Sequence, residues 1–394
     1  MARDFADEDA LPKGWRTRQP GFSIWTVISI PRFLLVALFY SIYYIPRSLR
    51  QHRKWTHRQA LSTQLFKHAF RIITELGYSQ TLTFRPGKLG DDRWVFINPA
   101  EANAYPRPFL SDKAKPEKIA GTWYPDAPFT DQSTANLHGD GGLIVLSFHS
   151  GSFLWFTGRP EDSGVVAELL NRKLGNDTRS LWVQYRLVGG HDNPTPYPGP
   201  MQDAITAYIY LVKTLGISPR RIVLAGDSSG STIAVALLRC LVEETDNEIL
   251  TSLPPPKACL IFSPSVEYSF EGDSRAVSEN RNSRTDYCEA PMMAWGARAI
   301  APPDQIRLDD PYLSPALYPF ATPVPIFVQA GGGEVLCDSI KGFADAMRAI
   351  PGNRIEYLEV PDVPHDIYAA GNFLGWVKEQ EEVIDAAAAF VSRL

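Results

Sequence analysis

The stretch RIVLAGDSSGSTIAVALLRCL, Arg221–Leu241, decides how this chain is read. An apolar, β-branched run gives way within a few residues to apolar positions at helical spacing, so a strand turns directly into a helix. The turn, Gly226-Asp227-Ser228-Ser229-Gly230, fits Gly-x-Ser-x-Gly. A serine held there in a strained backbone conformation leaves no room for flanking side chains, which accounts for both glycines. The strain lifts the Ser228 hydroxyl above the carboxyl edge of a sheet, where open α/β folds bind ligands. The helix N-terminus beneath offers N–H groups and a positive dipole end to a developing oxyanion. Ser and Asp also serve as ordinary helix caps. The paired glycines and the preceding strand favour a nucleophile.

The same alternation extends outward. GLIVLSF, GVVAELLNRKLG, SLWVQYRL and DAITAYIYLVKTLG precede the turn, and KACLIFS, PIFVQAG, SIKGFADAMRAI, RIEYLEV and EEVIDAAAAFVSRL follow it. Short continuous apolar strands between helices imply a mostly parallel sheet buried on both faces, so the fold class is α/β. RWVFINP and KIAGTWYP are further strand candidates in an earlier, turn-rich stretch. With 394 residues, 44% apolar and 21% charged, the chain has the composition of a globular protein, large enough for one core and an accessory segment. Its net charge of −5 leaves no basic footprint, which argues against a nucleic-acid partner. Cys240, Cys259, Cys288 and Cys337 are scattered, with neither metal-site spacing nor a disulfide framework. No metal or cofactor is called for.

Residues 1–20 read as a polar tail, 21–77 as a hydrophobic and helical cap or membrane-anchor region, and 78–394 as the catalytic domain. Phe22 to Ile45 is long enough to span a bilayer. Pro31 and Arg32 interrupt it, and a central Arg costs about 2.5–3.5 kcal/mol on insertion scales. The segment therefore predicts a helix from about Phe33 to Ile45 that lies in or dips into a membrane, or one that caps a hydrophobic site. Arg47, Arg50, Arg53 and Lys54 follow, as contact with anionic headgroups requires. Residues 56–77 predict a second helix. Membrane association is the expected localisation, with the cytoplasm as the alternative.

A serine nucleophile needs a base, and the base needs an orienting acid. In the strand–Ser–helix architecture they follow in the order Ser, acid, His. His365, in EVPDVPHDIY, is the one histidine beyond the last predicted strand. The acid belongs just after the preceding strand, where PIFVQAGGGEVLCD offers Glu334 and Asp338. Glu334 comes first and points toward the far ring nitrogen; Asp338 is the alternative, better suited to supporting the next helix. After an earlier strand, His149-Ser150-Gly151-Ser152 supplies backbone N–H groups. Those of Gly151 and Ser152, with that of Ser229, form the candidate oxyanion hole. A plain Gly/Ser turn is the bland reading of the same residues.

From about Thr122 onward the chain resembles the hormone-sensitive-lipase-like branch of α/β-hydrolases, which includes arylacetamide deacetylase and fungal steryl acetyl hydrolase. SFHSGSF is similar to the family's His-Gly-Gly-Gly loop, VQYRL to Asp-Tyr-Arg-Leu, and YPGPMQDA to its Pro-x-Pro-(x)-Asp-Ala stretch. GDSSG, EVLCD and VPHD match the nucleophile, acid and histidine segments. The resemblance implies an α/β-hydrolase fold and the same three residues as triad: Ser228 nucleophile, Glu334 acid, His365 base. It departs where Ser150 and Ser152 replace loop glycines, Gln184 replaces aspartate, and the acid is glutamate. Such a protein is expected to hydrolyse small hydrophobic acyl or acetyl esters. The anchor-bearing fungal members point to the endoplasmic reticulum and to lipid or secondary metabolism. A biosynthetic acyltransferase or cyclase, or a non-catalytic binder of hydrophobic ligands, are the alternatives on the same fold.

Overall fold

The computed structural model describes residues 12, 14–82, 92–125, 141–189, 195, 197–244, 246–302 and 305–394. Most of the expected polar tail lies outside them. Its eight strands are β1 Trp94–Ile97, β2 Ile119–Tyr124, β3 Ile144–Phe148, β4 Arg179–Gln184, β5 Ile222–Asp227, β6 Ala258–Phe262, β7 Ile326–Gly331 and β8 Ile355–Val360. They form one sheet in the order β1-β2-β4-β3-β5-β6-β7-β8. β2 runs antiparallel to both β1 and β4; every pairing from β4 to β8 is parallel. The longer helices are α1 Gly21–Tyr43, α2 His57–Leu76, α3 Pro160–Leu174, α4 Gly199–Ile209, α5 Ser229–Glu243, α6 Ala290–Ile300, α7 Cys337–Arg348, α8 Ile367–Leu374 and α9 Val377–Ser392. α5 packs on β3, β5 and β6, α3 on β2 and β4, and α7 and α9 on β7 and β8.

The uninterrupted apolar strands are buried along their whole length in β2, β3, β5, β6 and β7. Burying each Val, Leu or Ile there stabilises the sheet by about 1.5–3 kcal/mol. Register aligns the carboxyl ends: Phe148 lies opposite Gly226, and Asp227 opposite Phe262. The segments that follow β3, β5, β6 and β7 therefore emerge side by side.

Two of the family-like motifs meet in the core. Arg186, just after β4, donates its Nε to Asp203 Oδ1 at 3.0 Å and its main-chain N–H to Asp203 Oδ2 at 2.7 Å. Both side chains are buried, and Arg186 also donates to Gln202, Gly199 O and Lys115 O. A buried charge pair holds only when its other polar atoms are satisfied in this way. Gln184, in the position of the family aspartate, accepts the Gly158 N–H at 3.2 Å. All four cysteines are buried and unpaired.

The amino-terminal region differs from expectation in three respects. α1 begins at Gly21, not near Phe33, and continues through Pro31 to Tyr43. Proline forfeits one backbone bond, but the helix is held from outside. Glu75 of α2 accepts from Arg32 Nη1 at 2.8 Å, Arg32 Nη2 at 3.2 Å and Trp25 Nε1 at 3.1 Å. The arginine expected to break the helix is thus what docks it. Second, α1 contributes no lining to the cavity over Ser228; α2 does. Third, two of the four trailing cations are occupied within the protein: Arg50 donates to Tyr44 O, Ile45 O and Trp55 O, and Lys54 pairs with Asp362 at 2.8 Å. α2 itself starts on a capping box between Thr56 and Gln59 and ends on left-handed Gly77.

Candidate active site

The turn after β5 has the geometry its glycines require. Ser228 sits at φ 49° and ψ −121°, outside the regions L-residues favour. A Cβ at Gly226 would lie 2.5 Å from Gly230 O, and one at Gly230 only 2.0 Å from Phe148 O. The strain is held by main-chain bonds: Ser228 N–H donates to Phe262 O at 2.9 Å, and Ser228 O accepts from Ser231 and Ser265.

Ser228 Oγ lies 2.9 Å from His365 Nε2, and His365 Nδ1 lies 2.6 Å from Glu334 Oε2. Glu334 Oε1 accepts the Gly331 N–H at 2.6 Å and the Ser263 hydroxyl at 3.2 Å. All three side chains are buried. Burial by itself would lower the His365 pKa, but the bond to Glu334 and its charge, with Asp286 and Asp366 nearby, outweigh this and raise it to about 9. Asp338 is elsewhere: it is exposed in the first turn of α7 and pairs with Arg281 at 2.6 Å.

The loop after β3 is equally constrained. Gly151 has φ 113°, and a Cβ there would meet Trp155 O at 2.1 Å. Ser152, at φ 54°, takes a left-handed conformation without being glycine. His149 stacks on Tyr185 with ring centroids 4.2 Å apart, and Tyr185 donates its hydroxyl to His149 O at 2.8 Å. Complete burial pushes the His149 pKa down to about 4, so the ring is neutral. Gly151 and Ser152 line the same cavity as Ser228, and Ser229 starts α5 directly beside it.

That cavity, about 300 Å³, is walled by Phe66 and Phe70 of α2, Trp155, Phe156, Tyr287 and Phe373, with Ser228 and His365 among its polar lining. Among the described residues, no group of three or more His, Cys, Asp or Glu is placed to hold a metal ion.

Sequence reasoning missed the supports. Asp286 is fully buried, accepts the His365 N–H through Oδ1 at 3.3 Å, and accepts the Val335 N–H through Oδ2 at 2.7 Å. It ties the acid loop to the base loop from an unpatterned segment, RTDYCEA, that carries no local signal. Trp55 Nε1 donates to Asp362 O at 2.7 Å and steadies the histidine loop from the amino-terminal region.

A family model described as the alpha/beta hydrolase fold matches residues 145–369, more than half of the chain. The chain belongs to the α/β-hydrolase fold family. This α/β-hydrolase is 29% identical over 224 residues to an acetyl-hydrolase of Streptomyces hygroscopicus, covering 57% of this chain and 68% of that protein. It is 28% identical over 236 residues to the esterase LipU of Mycobacterium tuberculosis, covering 58% and 72%. Among solved structures, an esterase from the bacterial hormone-sensitive lipase family matches with a TM-score of 0.56 at 19% identity, over 92% of this chain and 98% of that one. A hyperthermophilic esterase from the archaeon Pyrobaculum calidifontis matches with a TM-score of 0.56 at 19% identity, over 84% and 91%. At such identities these structures bear on the fold alone.

Proposed function

We propose that this α/β-hydrolase cleaves hydrophobic carboxylic esters, acetyl esters among them, with Ser228 as nucleophile, His365 as base and Glu334 as the acid that orients it. The observation that carries the reading is the continuous Ser228–His365–Glu334 contact chain beneath an aromatic cavity. Ser228 Oγ attacks the ester carbonyl as its proton passes to His365 Nε2, and Glu334 stabilises the imidazolium that forms. N–H groups of Gly151, Ser152 and Ser229 receive the oxyanion. His365 returns the proton to the departing alcohol, and water then releases the acyl group by the same steps. The aromatic walls favour an apolar acyl or alcohol part, and the names of the acetyl-hydrolase and esterase relatives agree with this chemistry.

The outer face of α1 gives the membrane reading its support. Leu35, Val27 and Leu38 are 68%, 65% and 61% exposed. Because Arg32 and Trp25 bind Glu75 on α2, α1 rests on a bilayer surface by this face rather than crossing it.

A fluorophosphonate label and a short p-nitrophenyl ester test the hydrolase. Wild type labels and turns over, and Ser228→Ala does neither; equal turnover by the two proteins refutes the nucleophile. Carbonate-resistant sedimentation with membranes, lost when residues 1–50 are removed, tests the surface contact.

A further inference from the structure

A second cavity, of about 930 Å³, lies beside the catalytic one, walled by the chain just ahead of α1, by α2 and by the segment leading into α6. Cys288 and Met292 line both cavities and so form the partition between them. α2 serves both as well: Phe66 and Phe70 line the catalytic cavity, while Lys67 and Arg71, each one residue further round the helix, line the other with Thr74. One half of the partition is fixed and the other pliable. The Cys288 N–H donates to Asp286 Oδ1 at 3.2 Å, the oxygen that also accepts from His365. Met292, in the first turn of α6, is 5% exposed and fills its place with an unbranched side chain of high conformational freedom.

Charge distinguishes the two chambers. The charged lining of the catalytic cavity includes Glu161, Asp162, Asp227 and Asp366, with no lysine or arginine among the described residues. The second cavity sets Arg16, Lys67 and Arg71 against Glu75 and Glu289. Both of these carboxylates are already engaged: Glu289 accepts from Arg71 Nε at 2.9 Å, and Glu75 from Arg32 Nη1 at 2.8 Å. Lys67 donates to main-chain oxygens, Ser283 O at 2.6 Å and Asp286 O at 3.0 Å, and Arg16 lies 3.8 Å over the Trp25 ring. Neither forms an ion pair with a carboxylate among the described residues. Thr74 is 9% exposed, and its hydroxyl finds no hydrogen-bond partner there. A bound acceptor would relieve that unsatisfied donor.

We propose that the second cavity is a subsite for the far end of long ester substrates and takes an anionic group there, a carboxylate above all, while the apolar chain passes Met292 to bring the ester carbonyl to Ser228. This rests on the esterase reading of the site. At about 300 Å³ the catalytic cavity stands at the lower end of the roughly 300–1,000 Å³ usual for ligand pockets, so a longer substrate must continue beyond it. An anion kept within the acid-lined chamber is repelled, and one that reaches Arg16 and Lys67 gains charge-assisted hydrogen bonds. Chain length therefore decides whether a terminal charge hinders or helps.

The probes are p-nitrophenyl half-esters of adipic and dodecanedioic acid, each paired with the neutral alkanoate ester of matched length. The readout is kcat/KM of the charged ester divided by that of its neutral partner. In the full-length protein this ratio should be about tenfold or more higher for the long pair than for the short one, the scale of a charge-assisted hydrogen bond. Arg16→Gln combined with Lys67→Gln should bring the long ratio down to the short one, and Met292→Trp, which thickens the partition, should do the same. A ratio that does not rise with length, or one that keeps its rise when both cations are gone, overturns the proposal. If Met292→Trp does not fold, the double cation variant decides. Fluorophosphonate labelling of Ser228 separates the two claims. An unlabelled wild type that turns over neither neutral ester overturns the esterase reading, and the subsite with it; labelled protein that hydrolyses the neutral esters without the rise overturns only the subsite.

Discussion

Replacing Glu334 by glutamine removes one charge from the site and little volume. The His365 pKa is lifted from 6.5 to about 9 against the pull of burial, chiefly by Glu334. That displacement corresponds to about 3 kcal/mol of preference for the imidazolium. The same preference stabilises the protonated histidine during attack, so above about pH 9, where the base is neutral in both proteins, its loss is roughly two orders of magnitude in kcat/KM. Glutamine also presents an amide N–H to Nδ1 and favours the tautomer with the wrong nitrogen protonated. In wild type the acid limb of the kcat/KM profile should fall near pH 9, because the base must be neutral to accept a proton. In Glu334→Gln burial still lowers the value while Asp286 and Asp366 still raise it, so the limb should move down from about 9 toward 6.5, the histidine's ordinary value. Stability follows with a definite sign. A folded-state pKa above the unfolded value gives stabilisation that is complete below pH 6.5 and lost as pH rises through about 9. Denaturant titrations across that window should show wild type weakening and the variant lacking that part of the slope. A loss smaller than about tenfold, or an acid limb that does not move, refutes the assignment of Glu334.

Asp338→Asn should leave kcat within about twofold and cost at most about 1 kcal/mol, since its pair with Arg281 is solvent-exposed; ester turnover and a melting curve check both. Gly230→Ala would set a methyl group 2.0 Å from Phe148 O and 2.6 Å from His149 O, both main chain. A destabilisation of about 3 kcal/mol or more and loss of fluorophosphonate labelling should result. Asp203→Ala takes from Arg186 its buried countercharge and leaves only the half-exposed Glu117, 3.7 Å away. Urea unfolding should register a loss of about 3–5 kcal/mol.

The α/β class and the strand-to-helix elbow were legible because their causes are local. Glycine spacing, β-branched runs and helical periodicity all act within one turn of chain. Chain order then led to Glu334 and His365, since successive parallel strands deliver their trailing loops to one edge of the sheet. Asp286 was invisible for the opposite reason: it reaches both loops from an irregular segment, and no periodicity marks a carboxylate that accepts N–H groups from residues 49 and 79 positions away. α1 was misjudged on similar grounds. Arg32 looks like a defect in an apolar helix until Glu75, 43 residues on, is seen to take both of its nitrogens. Phe66 and Phe70 of α2 also escaped notice, because a helix shows the same amphipathic pattern whether its apolar face meets a core or a cavity.

The helix that carries Phe66 and Phe70 is held from behind by the segment most tempting to remove. Trimming the chain ahead of residue 45 for the sake of solubility would take away the partners of Glu75 and leave α2 supported on one side only. Kinetic constants measured on such a shortened protein would describe a slacker cavity, with broader substrate acceptance than the chain that keeps α1.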